Sequence, residues 1–381
     1  MRVAVVHDWL TGMRGGERAL EALLELFTEA EIFTLLHRPG SVSETIEARP
    51  VHTSFVQRLP GAGRHYRWYL PLFPRAVETF DLTRFDLVVS SSHCVAKGAR
   101  ADGVPHLCYC HTPMRYAWDR FDAYFGPGRS GPLVRGAAAV ATRALRRWDR
   151  TTAPRVDRFV ANSENVRRRI RRAYGRDASV VHPPVDLGRF RPAPTREEFY
   201  LVVSALVPYK RVDLAVNAFE ALGKPLVVVG TGPELRRLRA LARGCVRFAG
   251  WLPDGEVADL MSRCRALVMP GEEDFGIVPV EAQASGAPVI AYGRGGVLET
   301  VVPAGGGPGP ATGVFFHEES PEALAEAVRG FEALRFDPDA LRSSAQRFSP
   351  ERFLEGMQSQ VEALLEGRAS GAVDLPVERA G

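Results

Sequence analysis

The sequence predicts an α/β protein of two successive domains, each built on a parallel sheet. Short apolar runs alternate with helical patterns along the chain, and a proline-rich break divides that alternation in two. A length of 381 residues is enough for about two separately cored domains. In the first half, Val3–Val6, Ile32–Leu35, Leu87–Val89, His106–Cys110 and Arg158–Ala161 are apolar stretches of strand length, as parallel strands covered on both faces require. Glu17–Phe27 carries a helical pattern between the first two. The run from Pro183 to Pro194 has no periodicity and reads as the domain boundary. Strands follow at Tyr200–Ser204, Pro225–Val229, Val246–Phe248, Ala266–Met269, Pro288–Ala291 and Gly313–Phe316. Helices are expected over Arg211–Leu222, Glu234–Ala242, Asp254–Arg263, Val280–Ala284 and Pro321–Leu334. The domains are therefore expected at residues 1–187 and 188–349, with a last helix over 350–366 and a loose tail over 367–381.

Composition narrows the function classes. The formal net charge is only +4 and its cations are nearly all arginine, with Lys at 97, 210 and 224 alone. No recognised nucleic-acid motif accompanies the charge, so nucleic acid is not an expected partner. No stretch reaches the ~20 apolar residues of a membrane-spanning helix. Met1–Val6 is short and runs into His7-Asp8, so it reads as the first strand and not as a signal peptide. The five cysteines lie mostly in apolar runs, and Cys108 and Cys110 are one residue apart, not the two of a zinc knuckle or redox pair. Reduced core thiols and a cytoplasmic location are expected.

The densest chemical signal is Pro270–Ala282, where Glu273 and Glu281 stand eight positions apart around Phe275-Gly276. Glu273 falls on the loop leaving an apolar strand and Glu281 in the first turn of the expected next helix. Open α/β sheets bind ligands outside the carboxyl ends of their strands. Carboxylates accept hydrogen bonds there from the hydroxyls of a ribose or hexose. The plainer alternative is a helix start enriched in acids that complement its dipole. The segment resembles the Glu-x7-Glu motif of retaining glycosyltransferases of family 4. That resemblance implies the GT-B fold, α/β with two Rossmann-like domains whose parallel sheets face a central cleft, and a last helix crossing back to the first domain. It implies that Glu281 serves a ribose and Glu273 hexose hydroxyls, with Phe275, Gly276 and Ile277 beside them on the donor.

Other segments follow the same family pattern in order. His7 to Glu17 leaves the first strand and opens a helix; Gly15-Gly16 suits close approach to an anion, or is a plain tight turn. The full Gly-x-Gly-x-x-Gly spacing is missing, which argues against a dinucleotide oxidoreductase. By resemblance Gly15 and Gly16 lie against the donor diphosphate, with Asp8 and Arg14 on the acceptor side. Ser90-Ser91-Ser92-His93 and the polar, aromatic run Cys110–Asp119 follow apolar strands as site loops do. His111 occupies the place of the family histidine held near the reacting sugar. His93 faces the cleft or is structural, and Arg115 and Tyr116 join the acceptor side. In the second half, Lys210 falls where the family places its diphosphate lysine. The family arginine position is Ala205, a departure that leaves Arg211 to supply a second cation. Gly230-Thr231-Gly232 ends a strand and begins a helix, a place for close approach to a nucleotide, and Gly293–Thr300 repeats that logic.

Asp337-Pro338-Asp339 has a metal-binding form but lies between late helices, so it reads as a turn. No metal and no cofactor are called for, and Lys210, Arg211 and helix N-termini are left to neutralise the donor phosphates. The arginine-rich stretch Leu133–Arg150 reads equally as a helix on an anionic membrane surface or as a solvated face. The expected function is hexosyl transfer from a nucleotide-sugar donor, with mannose from GDP-mannose as the first choice. The expected acceptor is a saccharide or a polyprenyl-diphosphate-linked oligosaccharide, used in bacterial surface polysaccharide synthesis at the inner membrane face. Its first-domain loops are nearer to bacterial mannosyltransferase-like members than to the family at large. The rivals are a GT-B nucleotide-sugar epimerase and a non-catalytic scaffold subunit, the latter on the strength of Ala205.

Overall fold

The computed structural model describes residues 1–119, 121, 131–306 and 309–369. The chain divides into two compact units, Met1–Pro184 with the segment that starts at Pro350, and Val185–Ser349.

The first unit contains β1 (Val3–His7), β2 (Glu31–Thr34), β3 (Val51–Thr53), β4 (Leu87–Ser92), β5 (His106–Cys110), β6 (Arg158–Ala161) and β7 (Ser179–Val180). All pair in parallel, in the order β3-β2-β1-β4-β5-β6-β7. Because side chains alternate across a strand, Ala4 and Val6 enter one buried cluster while Val3 and Val5 enter another. The helix Gly15–Leu26 covers the second cluster with Ala19, Leu20, Leu23 and Leu24. The helix Pro350–Ala369 adds Phe353, Met357, Val361 and Leu364 to it, one stripe at helical spacing.

The second unit contains β8 (Tyr200–Val203), β9 (Leu226–Val229), β10 (Val246–Gly250), β11 (Leu267–Met269), β12 (Val289–Tyr292) and β13 (Gly313–Phe316). They too are parallel, in the order β10-β9-β8-β11-β12-β13. Leu201, Val227, Val229, Leu267 and Met269 face one cluster and Tyr200, Val202, Val228, Ala266 and Val268 the other. In each sheet the earliest strand sits inside, and the strand order reverses between β1 and β4 and between β8 and β11. Such a reversal opens a crevice at the carboxyl ends of the two strands.

The structure departs from the sequence expectation in several places, and the last helix runs on through Ala369 into the expected tail. The short strands β3 and β7 were not foreseen, because both lie at sheet edges and are only half-buried, without an apolar run. Strand β4 continues through Ser90, Ser91 and Ser92, all buried, where a loop was expected. The helix expected from Val280 begins at Ile277 and contains Pro279. Proline is tolerated there because the first-turn N–H groups have no helical acceptor. Glu281 therefore sits in the second turn, not the first. Asp337 caps a helix, Pro338–Ala345, by accepting from the Asp339 N–H at 3.0 Å, where a simple turn was expected.

Candidate active site

At the β1–β4 reversal, the parallel register sets His7 beside Ser91. The Ser91 hydroxyl is 3.1 Å from His7 Nδ1 and 2.8 Å from His111 Nε2, so it joins the two imidazoles. Glu17 Oε1 lies 3.8 Å from His7 Nε2, an ion-pair distance too long for a direct hydrogen bond. His7 and Glu17 are both buried. A polar line Glu17–His7–Ser91–His111 thus runs from the first turn of a helix to the end of β5. Gly16 packs on both rings, its Cβ position 3.8 Å from His7 Cε1 and 3.9 Å from His111 Nε2. Burial pushes the His111 imidazole down to about 3, and His93 and His7 act in the same direction. At neutral pH one of its nitrogens therefore donates and the other accepts. Burial opposes the charge on Glu17, but the adjoining His7 outweighs it and holds the carboxyl below its ordinary value.

Asp8 has a different task from the acceptor contact expected of it. Its buried carboxylate accepts the backbone N–H groups of His93, Cys94, Val95 and Ala96 at 2.7 to 2.9 Å. Burial alone would raise its pKa, but His93 and those donors bring it below the ordinary value. Asp8 thus organises the loop after β4, and its oxygens are committed to it. His93 is fastened there too, with Nδ1 3.1 Å from Asp8 and its ring edge-on to Trp9 at 4.5 Å. Burial lowers its pKa. Arg14 is exposed and opens onto a cavity of about 730 Å³ formed with Thr11, Arg38 and residues 63–68.

At the β8–β11 reversal, Lys210 Nζ donates to the Glu273 carboxylate, and both side chains are largely buried. Glu273 is held in place by the loop after β12. It forms a parallel bridge with Gly295, and its carbonyl accepts the Gly296 N–H at 2.9 Å. Any Cβ on Gly295 would stand 2.4 Å from that carbonyl oxygen, so only glycine admits the contact. Gly230 has φ 130, and a Cβ there would lie 1.9 Å from the Ser204 carbonyl oxygen. At Gly232 it would meet Leu206 O at 2.3 Å. These two glycines, expected to approach a nucleotide, are thus required for the loops after β8 and β9 to lie together.

Arg211 is the one non-glycine residue with positive φ among the described residues, at 51°. Its guanidinium binds Glu319 and lies 3.4 Å from Asp213. The second cation that Arg211 was expected to supply is thus held by carboxylates, as Lys210 is by Glu273. The Phe275 ring is buried against Phe348 at 5.2 Å, so its backbone is the part left to face a ligand. Gly276, at φ 99, makes the turn into the helix that carries Ile277 and the half-buried Glu281. Arg115 begins a short helix, Arg115–Trp118, while the Tyr116 side chain lies outside the described residues. The four cysteines 94, 108, 110 and 264 are buried, Cys245 is half-buried, and none is in a disulfide. Among the described residues no three His, Cys, Asp or Glu side chains are placed to hold a metal ion. None of the described helices is long and apolar enough to cross a membrane. In the arginine-rich helix Pro132–Thr151, Leu145 and Trp148 pack into the first unit's core, so that part of its apolar face is already covered.

Sequence reading missed Ser91 and Glu17 as site residues and gave His7 no role. Ser91 could have been found only from the pairing of β1 with β4.

Residues 13–189 match the family model described as Glycosyltransferase Family 4, and residues 188–348 match Glycosyl transferases group 1. The chain belongs to glycosyltransferase family 4. Among family relatives, the D-inositol 3-phosphate glycosyltransferase of Kineococcus radiotolerans is 29% identical over 80% of this chain and 85% of that protein. A GDP-mannose-dependent phosphatidylinositol monomannoside mannosyltransferase of Mycobacterium tuberculosis is 34% identical, over 44% of this chain and 50% of that protein. Solved structures share the fold. Sucrose-phosphate synthase from Thermosynechococcus elongatus superposes with TM-score 0.73 at 19% identity, covering 96% of this chain and 100% of that chain. An Anabaena protein, Alr3699/HepE, in complex with UDP gives 0.69 at 17% identity, over 95% and 100%. The fold of this family 4 member is GT-B, with two parallel Rossmann-ordered sheets.

Proposed function

We propose that this chain is a retaining, metal-independent hexosyltransferase that takes its sugar from a nucleotide-sugar donor. The observation that carries the reading is the Lys210–Glu273 pair at the β8–β11 reversal. It sets a cation suited to a diphosphate beside a carboxylate suited to sugar hydroxyls, where open sheets bind ligands. Glu281 accepts from the ribose, Glu273 from the hexose, and Lys210 meets the diphosphate. As the bond from sugar to diphosphate breaks, negative charge grows on the departing oxygen, and Lys210 with loop N–H groups stabilises it without reorganising. His111, neutral and fixed by Ser91, serves the reacting sugar. The departing phosphate accepts the proton of the acceptor hydroxyl.

The name of the Mycobacterium relative supports GDP-mannose as the first donor to test. The UDP and UDP-glucose complexes of the Anabaena neighbour make a UDP-sugar the next. A saccharide or polyprenyl-diphosphate-linked acceptor, used at the cytoplasmic face of the membrane, fits the reading. Calorimetric titration of the purified chain with GDP-mannose, UDP-glucose and UDP-N-acetylglucosamine, with chelator present, tests it. One of them should bind, and Lys210→Ala and Glu281→Ala should each weaken it at least tenfold. Binding of none, or unchanged binding in both variants, refutes the reading.

A further inference from the structure

The cavity in the first unit has a one-sided lining. Arg14, Arg38, Arg64 and Arg67 surround about 730 Å³ with His65 and Trp68, and no Asp, Glu, Asn or Gln takes part. None of the four guanidinium groups forms an ion pair among the described residues. Other arginines of the chain do find carboxylates, as Arg84 finds Glu31, Arg155 finds Glu78 and Arg265 finds Glu198. The concavity is open to solvent, which leaves room for a charged group with a larger body attached. Trp68 stacks on His65 at 4.5 Å and 17°, yet it is 76% exposed, so a flat apolar face is presented to solvent beside the cations.

A ligand that offers only hydroxyls is recognised by carboxylates and amides, and the lining has none. Guanidinium forks match phosphate oxygens, and their charge favours a dianion. Arg14 also immediately precedes Gly15-Gly16, the loop whose Gly16 packs on His111. The cavity therefore adjoins the reaction-centre side of the first unit along the chain itself.

We propose that the acceptor of this enzyme carries a phosphate ester or diphosphate, and that Arg14, Arg38, Arg64 and Arg67 bind that group, with Trp68 against its ring or isoprenoid. Calling the ligand an acceptor rests on the glycosyltransferase reading; the anion site does not. Two sources share this chemistry, a soluble sugar phosphate and a lipid-linked one.

The test uses the full chain and the double variant Arg38→Ala/Arg64→Ala, both at exposed positions. Glucose 1-phosphate is titrated as the soluble probe. Phosphatidylcholine vesicles carrying a polyprenyl phosphate are the lipid probe, and vesicles of equal charge carrying phosphatidylglycerol are the control. The wild-type chain should bind the soluble probe or prefer the polyprenyl vesicles over the control. The double variant should bind that probe at least tenfold more weakly and keep its nucleotide-sugar affinity. Failure of both probes, equal binding by the variant, or equal binding to both kinds of vesicle overturns the proposal, the last in favour of a general membrane surface. Nucleotide-sugar binding without phosphate binding removes this inference and leaves the transferase reading. Phosphate binding without nucleotide-sugar binding upholds the anion site and removes the transferase reading.

Discussion

His111 is useful to a reacting sugar only if its ring is held, and Ser91 holds it through one hydroxyl, 2.8 Å away. Ser91→Ala should lower turnover by roughly tenfold to a hundredfold, as loss of an orienting partner does, with little change in donor KM. Steady-state kinetics would show it, and an unchanged turnover would detach Ser91 from the reaction. His106 offers a separate reading in stability. Its Nε2 meets Ser90 Oγ at 2.8 Å and its Nδ1 the Arg155 carbonyl at 3.2 Å, in full burial. Burial pushes its pKa down to about 4 from an ordinary 6.5. Between those values the unfolded chain binds the proton and the folded chain does not, so stability falls as pH drops through that window. The loss at His106 is on the order of 3 kcal/mol and is complete near pH 4. Urea midpoints measured from pH 7 to 4 should fall accordingly, and His106→Gln should flatten the slope. His111 adds to the loss in the same sense, over a window that reaches about 3.

At the scale of elements, both reversals depend on loops packed to backbone contact. Asp8 binds four N–H groups of the loop after β4, so Asp8→Ala should cost about 3 kcal/mol or more by leaving buried donors unpaired. Denaturant melts would measure that, and a cost below ~1 kcal/mol would mean the loop finds other acceptors. Gly230→Ala should cost about 3 kcal/mol through its clash with Ser204 O and should weaken nucleotide-sugar binding with it. The elements most legible in the sequence were the inner strands, where β5 and β6 have the expected bounds. Those strands are apolar on both faces and announce themselves as runs. The edge strands β3 and β7 carry no such run, and the serines of β4 are buried by hydrogen bonding that composition does not show.

At the scale of the molecule, the last helix completes the core of the first unit from the far end of the chain. Phe353 is buried in that core, its ring edge-on to Tyr109 at 5.4 Å. Phe353→Ala should destabilise this unit by about 3–5 kcal/mol. Hydrogen exchange should then speed up in β1 and β4 and stay unchanged in β8 and β11; equal acceleration in both sheets would show that the units unfold as one.

Alternating apolar runs, the proline-rich break and the Glu273–Glu281 spacing are local patterns, so two parallel α/β units and the family could be read from consecutive residues. What a polar side chain does was settled elsewhere, by partners far along the chain. His7 and Ser91 are 84 residues apart and Arg211 and Glu319 are 108 apart. In the sequence Asp8 and Arg14 were expected on the acceptor side and Phe275 on the donor side. The fold gave Asp8 to a loop, Phe275 to the core, and Arg14 to an open cavity. The hydrophobic period is written in neighbouring residues, whereas the pairing of buried polar groups depends on strand order and register, which exist only once the sheets have formed.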